Sequence, residues 1–116
     1  MKKEIIGRWR IETMEQWDSG FINLVEEGNF TFSKDGMGSF VFGAVHAEID
    51  WGIEKGSKRI DFTWEGADEG DPVCGRGWAM IKSGRMEGRL YFHRGDESGF
   101  QATRTGLRTS QGRQPG

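Results

Sequence analysis

Two stretches of this chain concentrate side chains able to hold an ion, move a proton or attack an electrophile. The segment Glu65-Gly-Ala-Asp-Glu-Gly-Asp71 sets Glu65, Asp68, Glu69 and Asp71 among small residues, and oxygen ligands on a flexible loop are what Ca²⁺ or Mg²⁺ requires. The EF-hand spacing and its bidentate Glu are missing, so the residues favour a solvated turn whose carboxylates accept from local backbone N–H groups. The second stretch is Cys74-Gly-Arg76. A cysteine becomes a nucleophile only beside a base or a positive field, and Arg76 and His93 are the groups that would supply one. No cysteine-protease context surrounds it, which favours a packed, inert thiol.

His46 and His93 are the only histidines. An unperturbed imidazole titrates near pH ~6.5, so each is suited to metal ligation or acid/base work. Neither belongs to an H-x-H or H-E-x-x-H pattern, and both fall on the polar register of their segments. Arg76 shares its register with Cys74, Trp78 and Met80, while Gly75, Gly77, Ala79 and Ile81 make up the other. Both registers carry apolar members, so which one faces inward stays open. An inward guanidinium needs a carboxylate or an anionic ligand; a structural pair with Asp71 or Glu65 is preferred to an anion site. There is no P-loop, GxSxG or dinucleotide fingerprint.

The elements that must position these groups are strands. In residues 46–54, Ala47, Ile49, Trp51 and Ile53 alternate with His46, Glu48, Asp50 and Glu54. Ile60, Phe62 and Trp64 alternate with Asp61, Thr63 and Glu65; Met86, Gly88, Leu90 and Phe92 alternate with Glu87, Arg89, Tyr91 and His93. A period of two with one dry and one wet face is the pattern of an antiparallel sheet around a core. Further strands are expected near 5–13, 28–33, 38–43, 74–82 and 98–104, with turns at Ser33–Gly36, Glu54–Ser57 and Ser83-Gly84. The fold class is therefore all-β: an antiparallel up-and-down meander of about eight strands, closed or nearly closed into a barrel, with a two-sheet sandwich as the alternative. Met14, Trp17, Phe21 and Leu24 suggest a short helical turn near 15–22, placed to lie across one end as a lid. Residues 1–105 form the expected single domain, and 106–116, polar and aperiodic, a disordered tail.

Composition narrows the function classes. With 116 residues, 19 Gly, 8 Phe and 5 Trp, the chain suits one domain whose few large rings fill the core; Trp9, Trp51, Trp64 and Trp78 all read as core by register. A net charge of −2 with dispersed basic residues argues against nucleic acid. No run is long enough to span a membrane, and Met1–Ile6 carries no apolar stretch after its lysines. A lone cysteine excludes an internal disulfide. The expectation is a cytoplasmic monomer or homodimer needing no cofactor or metal.

In a meander successive connections alternate between ends. Connections 14–27, 43–46, 65–73 and 93–98 then share one rim, and 33–37, 54–58 and 82–85 the other. The first rim collects Trp17, Asp18, Glu65, Asp68, Asp71, Arg76, His93 and Asp96 as the candidate ligand-binding residues, on the principle that a rigid scaffold presents function on its loops. A non-enzymatic binding barrel taking a small polar ligand or a protein partner is the first expectation. A small acid/base enzyme using His93 and carboxylates at the same rim, or a protein–protein interaction module, are the alternatives.

Gly7-Arg8-Trp9 in the first strand, followed by a meander and by Arg104 in the last, resembles the calycin pattern of lipocalins and fatty-acid-binding proteins. That resemblance implies that Trp9 and Arg104 pack together and close one barrel end. Trp64-Glu65-Gly66 through Asp71, Gly75-Arg76-Gly77 and Phe92-His93-Arg94-Gly95-Asp96 resemble an uncharacterised bacterial family of small all-β proteins, which implies no activity.

Overall fold

Alternation of apolar and polar residues carries directly into the backbone. A computed structural model of the chain describes residues 2–53, 56 and 58–105. A helical turn α1 (Lys2–Ile5) precedes β1 (Gly7–Met14), and a second, α2 (Ser19–Ile22), precedes β2 (Asn29–Phe32). Then come β3 (Met37–Phe42), β4 (Val45–Ile53), β5 (Arg59–Asp68), β6 (Asp71–Lys82), β7 (Arg85–Phe92) and β8 (Glu97–Arg104). Each strand pairs antiparallel with its successor and β8 pairs with β1, closing an eight-stranded barrel in chain order. Closure leaves the sandwich without a place and pairs each strand with a neighbour on both sides. The expected tail 106–116, and 54, 55 and 57 of one expected turn, lie outside the described residues.

Three details differ from the expectations. The first strand begins at Gly7 rather than residue 5, because α1 turns Ile5 into the core, where it is fully buried. Gly7 makes that bend at φ 128°, and a Cβ there would sit 2.6 Å from Arg104 Nη1. The 65–73 connection is not a loop. β5 and β6 continue to Asp68 and from Asp71, joined by Glu69 (φ 52°) and Gly70 (φ 89°). Two positive-φ residues in a two-residue connection match the twist of the flanking strands. Pro72 is tolerated because β7 pairs with β6 only from Gly75 onward, so its missing N–H lies on an open edge. Finally, Trp78 is not core: the inward register of β6 is Gly75, Gly77 and Ala79, and Trp78 points outward beneath Arg59, whose guanidinium lies 4.9 Å from the ring centroid.

The reason is volume. Phe62 and Trp64 of β5 point inward beside β6, and a Cβ added at Gly77 would stand 2.4 Å from Phe62 Cζ and 2.8 Å from the Arg89 carbonyl oxygen. One at Gly75 would meet Trp64 at 2.8 Å and the Tyr91 carbonyl oxygen at 1.8 Å. β6 must therefore turn its smallest residues toward the rings. The interior is filled by interlocked aromatics: Phe30 stacks on Phe100 at 4.5 Å, and Phe40 meets Trp64 edge-on at 5.1 Å, as Phe32 meets Trp51 at 5.8 Å. Such pairs add about 0.5–1.5 kcal/mol each beyond their burial.

Both ends are stopped. At the end where β1 starts, Arg104 lies 4.6 Å over the Trp9 ring and donates to the carbonyls of Ile6 (2.6 Å) and Glu4, while Trp9 Nε1 donates to Ile5 (2.8 Å). At the opposite end the 15–28 segment folds across. Its buried Ile22 anchors it, Gln16 N–H donates to the buried Ser98 hydroxyl (3.1 Å), and Glu15 N–H donates to the Gly99 carbonyl (2.9 Å). Trp17 closes the mouth against Phe42 at 4.9 Å and Phe92 at 6.2 Å.

A methyl group therefore has opposite consequences at two glycines of this sheet. Gly77→Ala is expected to cost about 1–3 kcal/mol by overpacking. Gly52→Ala, where an added Cβ meets nothing within 4 Å, should change stability by less than about 0.5 kcal/mol. Urea denaturation of the two variants, compared by midpoint at constant slope, measures the contrast.

Candidate functional site

With the interior filled and both ends stopped, the concave space of this barrel lies on its outer wall. A groove of about 690 Å³ runs over β4–β7, with Met37 at one margin. This volume is within the usual range for small-molecule sites, roughly 300–1,000 Å³. Strand register orders its lining. Glu48 of β4 is opposite Glu65 of β5, and Glu65 is opposite Cys74 of β6. One step along, Asp50, Thr63, Arg76 and Tyr91 form a second row across four strands. His93 follows at the end of β7, its backbone N–H donating to the Cys74 carbonyl at 2.8 Å. Thr63 and Cys74 are short side chains between longer ones, and they form the floor.

The charges are sorted by strand. Glu48, Asp50 and Glu65 occupy the β4–β5 side; Arg76, His93 and Arg94 occupy the β6–β7 side. Arg76 resolves outward, as the glycine register of β6 requires, and it is exposed. Its guanidinium lies 4.0 Å from the Tyr91 ring centroid, a cation–π stack. No carboxylate pairs with it among the described residues, so the expected structural ion pair with Asp71 or Glu65 is not made. Stacking uses the face of a guanidinium and leaves its in-plane N–H donors available, the geometry with which arginine takes carboxylate or phosphate. Arg94 is held at φ 57°, in the left-handed region that costs a non-glycine residue energy.

Of the eight candidate residues, Glu65, Arg76 and His93 meet in this groove. The others are elsewhere. Trp17 is the end plug. Asp18 is the N-cap of α2, its carboxylate accepting from Phe21 N–H at 3.0 Å. Asp68 and Asp71 flank the β5–β6 turn, and Asp96 sits in the β7–β8 turn, where its carbonyl accepts from Phe92 N–H at 2.9 Å. Among the described residues no three His, Cys, Asp or Glu side chains converge on a point that would hold a metal ion. Loop reasoning missed Glu48, Asp50, Thr63, Tyr91 and Arg94. The signal for all but Arg94 was already in the alternation, on its wet register, but lining up four strands needs the turn lengths that set cross-strand register.

A second, shallower groove of about 490 Å³ lies over β1, β6, β7 and β8 and includes Glu15, Trp78, Glu87 and Arg89. Here the arginine is ion-paired. Arg89 bridges Glu15 and Glu97 at 3.0 Å each, and Glu15 also accepts from Gly99 N–H at 3.4 Å. That backbone N–H first, and then Arg89, hold the Glu15 carboxyl below its ordinary value.

No family model, curated protein or solved structure matches this chain.

Because the folded Glu15 binds its proton less readily than the unfolded chain, its contribution to stability is present above the ordinary carboxyl value of 4.5 and is lost as pH falls through the folded value. Wild type should be more stable than Glu15→Gln at pH ~7, with the difference narrowing below about pH 4. Thermal unfolding of both proteins across this range measures it; a constant difference would contradict the assignment.

Proposed function

We propose that this chain is a non-enzymatic binding barrel that holds a small polar ligand on its outer wall, in the β4–β7 groove. The observation that carries the reading is Arg76. It is stacked on Tyr91 within a groove of ligand size, with its N–H donors unengaged by any described carboxylate. Five other arginines of the barrel wall and lid region, namely Arg8, Arg10, Arg59, Arg85 and Arg89, are ion-paired. An arginine pre-positioned by an aromatic ring binds a planar anion with little further loss of side-chain freedom. The acid/base alternative has less support, since the His93 side chain makes no hydrogen bond to a carboxylate among the described residues and lacks an orienting partner of the kind a general base uses.

The interaction-module reading draws on a different place. Leu24 and Val25 are 62% and 60% exposed on the segment that crosses the barrel end, beside the partly exposed Phe21. Apolar side chains grouped in this way favour a protein contact, and a homodimer or a protein partner belongs to this second reading. We also read the barrel as calycin-like, on the packing of Arg104 over Trp9 at the stopped end. A reducing, cytoplasmic setting suits the exposed, unpaired Cys74.

Native mass spectrometry of protein purified gently from its host tests the first reading. The expected result is a discrete extra mass that disappears on denaturation and is missing from Arg76→Ala. An extra mass retained by Arg76→Ala would move the ligand away from this groove. A bare, concentration-dependent dimer that Leu24→Ser abolishes would favour the interaction module.

A further inference from the structure

The groove contains a like-charge conflict that no ion pair relieves among the described residues. Glu48 and Glu65 are directly opposed across β4 and β5, both pointing outward, and Asp50 lies on the same face. Like charges directly opposite one another destabilise a strand pair. A basic side chain is present on β6, the strand next to Glu65, yet it does not relieve them. Arg76 is opposite Thr63 on one side and Tyr91 on the other, and its guanidinium is drawn to the Tyr91 side. The ring thus holds the positive charge away from the carboxylates. None of Glu48, Asp50, Glu65, Arg76, His93 and Arg94 forms an ion pair among the described residues, although all six line one groove.

We infer that the ligand of this groove is a zwitterion, with its anionic group on Arg76 and its cationic group between Glu48 and Glu65. This rests on the groove being the binding site and names the chemistry of what it binds. A ligand of either single charge would neutralise one wall and leave the other as it is; a zwitterion relieves both. Register also sets its length. From the midline of β4 and β5 to the Tyr91 side of Arg76, between β6 and β7, is two strand spacings, about 10 Å. The charges of a free α-amino acid are too close to bridge that span, whereas an extended chain advances about 3.4 Å per residue, so a tripeptide bridges it. The middle of the groove suits a peptide backbone. Thr63 lies on its floor and Tyr91 at its side, and neither hydroxyl is engaged in a hydrogen bond among the described residues. The geometry therefore points to a short peptide, amino end toward β4 and carboxylate toward β6 and β7.

The probe is triglycine, titrated into the full ¹⁵N-labelled chain and followed by amide shifts. Expected are shifts centred on Thr63, Glu65, Arg76 and Tyr91. N-acetylation or C-terminal amidation of the peptide should each weaken binding about tenfold, as should Arg76→Ala, since each removes a charge-assisted contact. Arg76→Lys, which keeps the charge and loses the fork, should fall between. In the double variant Glu48→Gln/Glu65→Gln, acetylation should no longer weaken binding, which a merely structural role of these carboxylates would not produce. Equal binding of free and capped peptides, or no binding of triglycine, overturns the zwitterion. If the host ligand is nevertheless lost in Arg76→Ala, the groove stands as the site and only its ligand class fails. Triglycine shifts centred on Trp17 and Phe42 would overturn both.

Discussion

A barrel of eight short strands encloses a fixed volume, and this chain commits most of it to rings. Phe30, Phe32, Phe40, Phe42, Phe62, Phe100, Trp9, Trp51 and Trp64 are all buried. They fit only because one strand gives up its share of the interior. β6 presents Gly75, Gly77 and Ala79 inward, and the rings of Phe62 and Trp64 take the space that side chains would have filled. Interiors packed at crystal-like density have no room for both. Once that register is imposed, Cys74, Arg76 and Trp78 must face outward, because a strand's side chains alternate. The polar groups of β6 are thus placed outside by a packing constraint on the inside.

The two ends complete the exclusion. Arg104 and Trp9 close one, tying α1 to the barrel through the carbonyls of Glu4 and Ile6. The segment carrying Trp17 closes the other, fastened by Ser98 and Gly99 and ordered internally by the Asp18 cap. A lipocalin-type use of the barrel, with a ligand in the interior, conflicts with these contacts. The concave surface that remains is on the wall, where shape comes from differences in side-chain length rather than from a loop-lined mouth. There the charge pattern divides sharply. Over β1, β7 and β8, Arg85, Arg89, Glu12, Glu15 and Glu97 satisfy one another. Within the β4–β7 groove the carboxylates lie on β4 and β5 and the basic groups on β6 and at the end of β7, with Tyr91 holding Arg76 back from the carboxylates. Exposed ion pairs contribute little to stability, so leaving these unmade costs the fold little and leaves their charges available to a ligand.

Period-two alternation in segments such as 46–54 and 86–93, with turn residues between them, determined the class, the number of strands and their antiparallel order. Ser83-Gly84 became the two-residue turn its composition announced. These features are local: each depends on a handful of adjacent residues and on whether one face is dry. The rim assignment failed for Glu65, because a two-residue Glu69-Gly70 turn converted an expected loop into two more turns of the pleat. Asp18 looked like a rim carboxylate and is a helix cap. Trp78 looked like core because tryptophan is large and apolar.

The orientation of β6 is the clearest boundary between what the residues state and what assembly decides. Its two registers, Cys74-Arg76-Trp78-Met80 and Gly75-Gly77-Ala79-Ile81, are comparably apolar, and no rule confined to the strand chooses between them. Phe62 and Trp64 on the neighbouring strand do, by occupying the space. The groove follows for the same reason. Glu48, Asp50, Thr63, Glu65, Arg76 and Tyr91 come from four strands spread over more than forty residues, and only the cross-strand register aligns them. The sequence alone determined which residues alternate, where the chain turns and that the rings would form the core; steric competition among those rings, acting across strands, decided which polar residues meet on the outside.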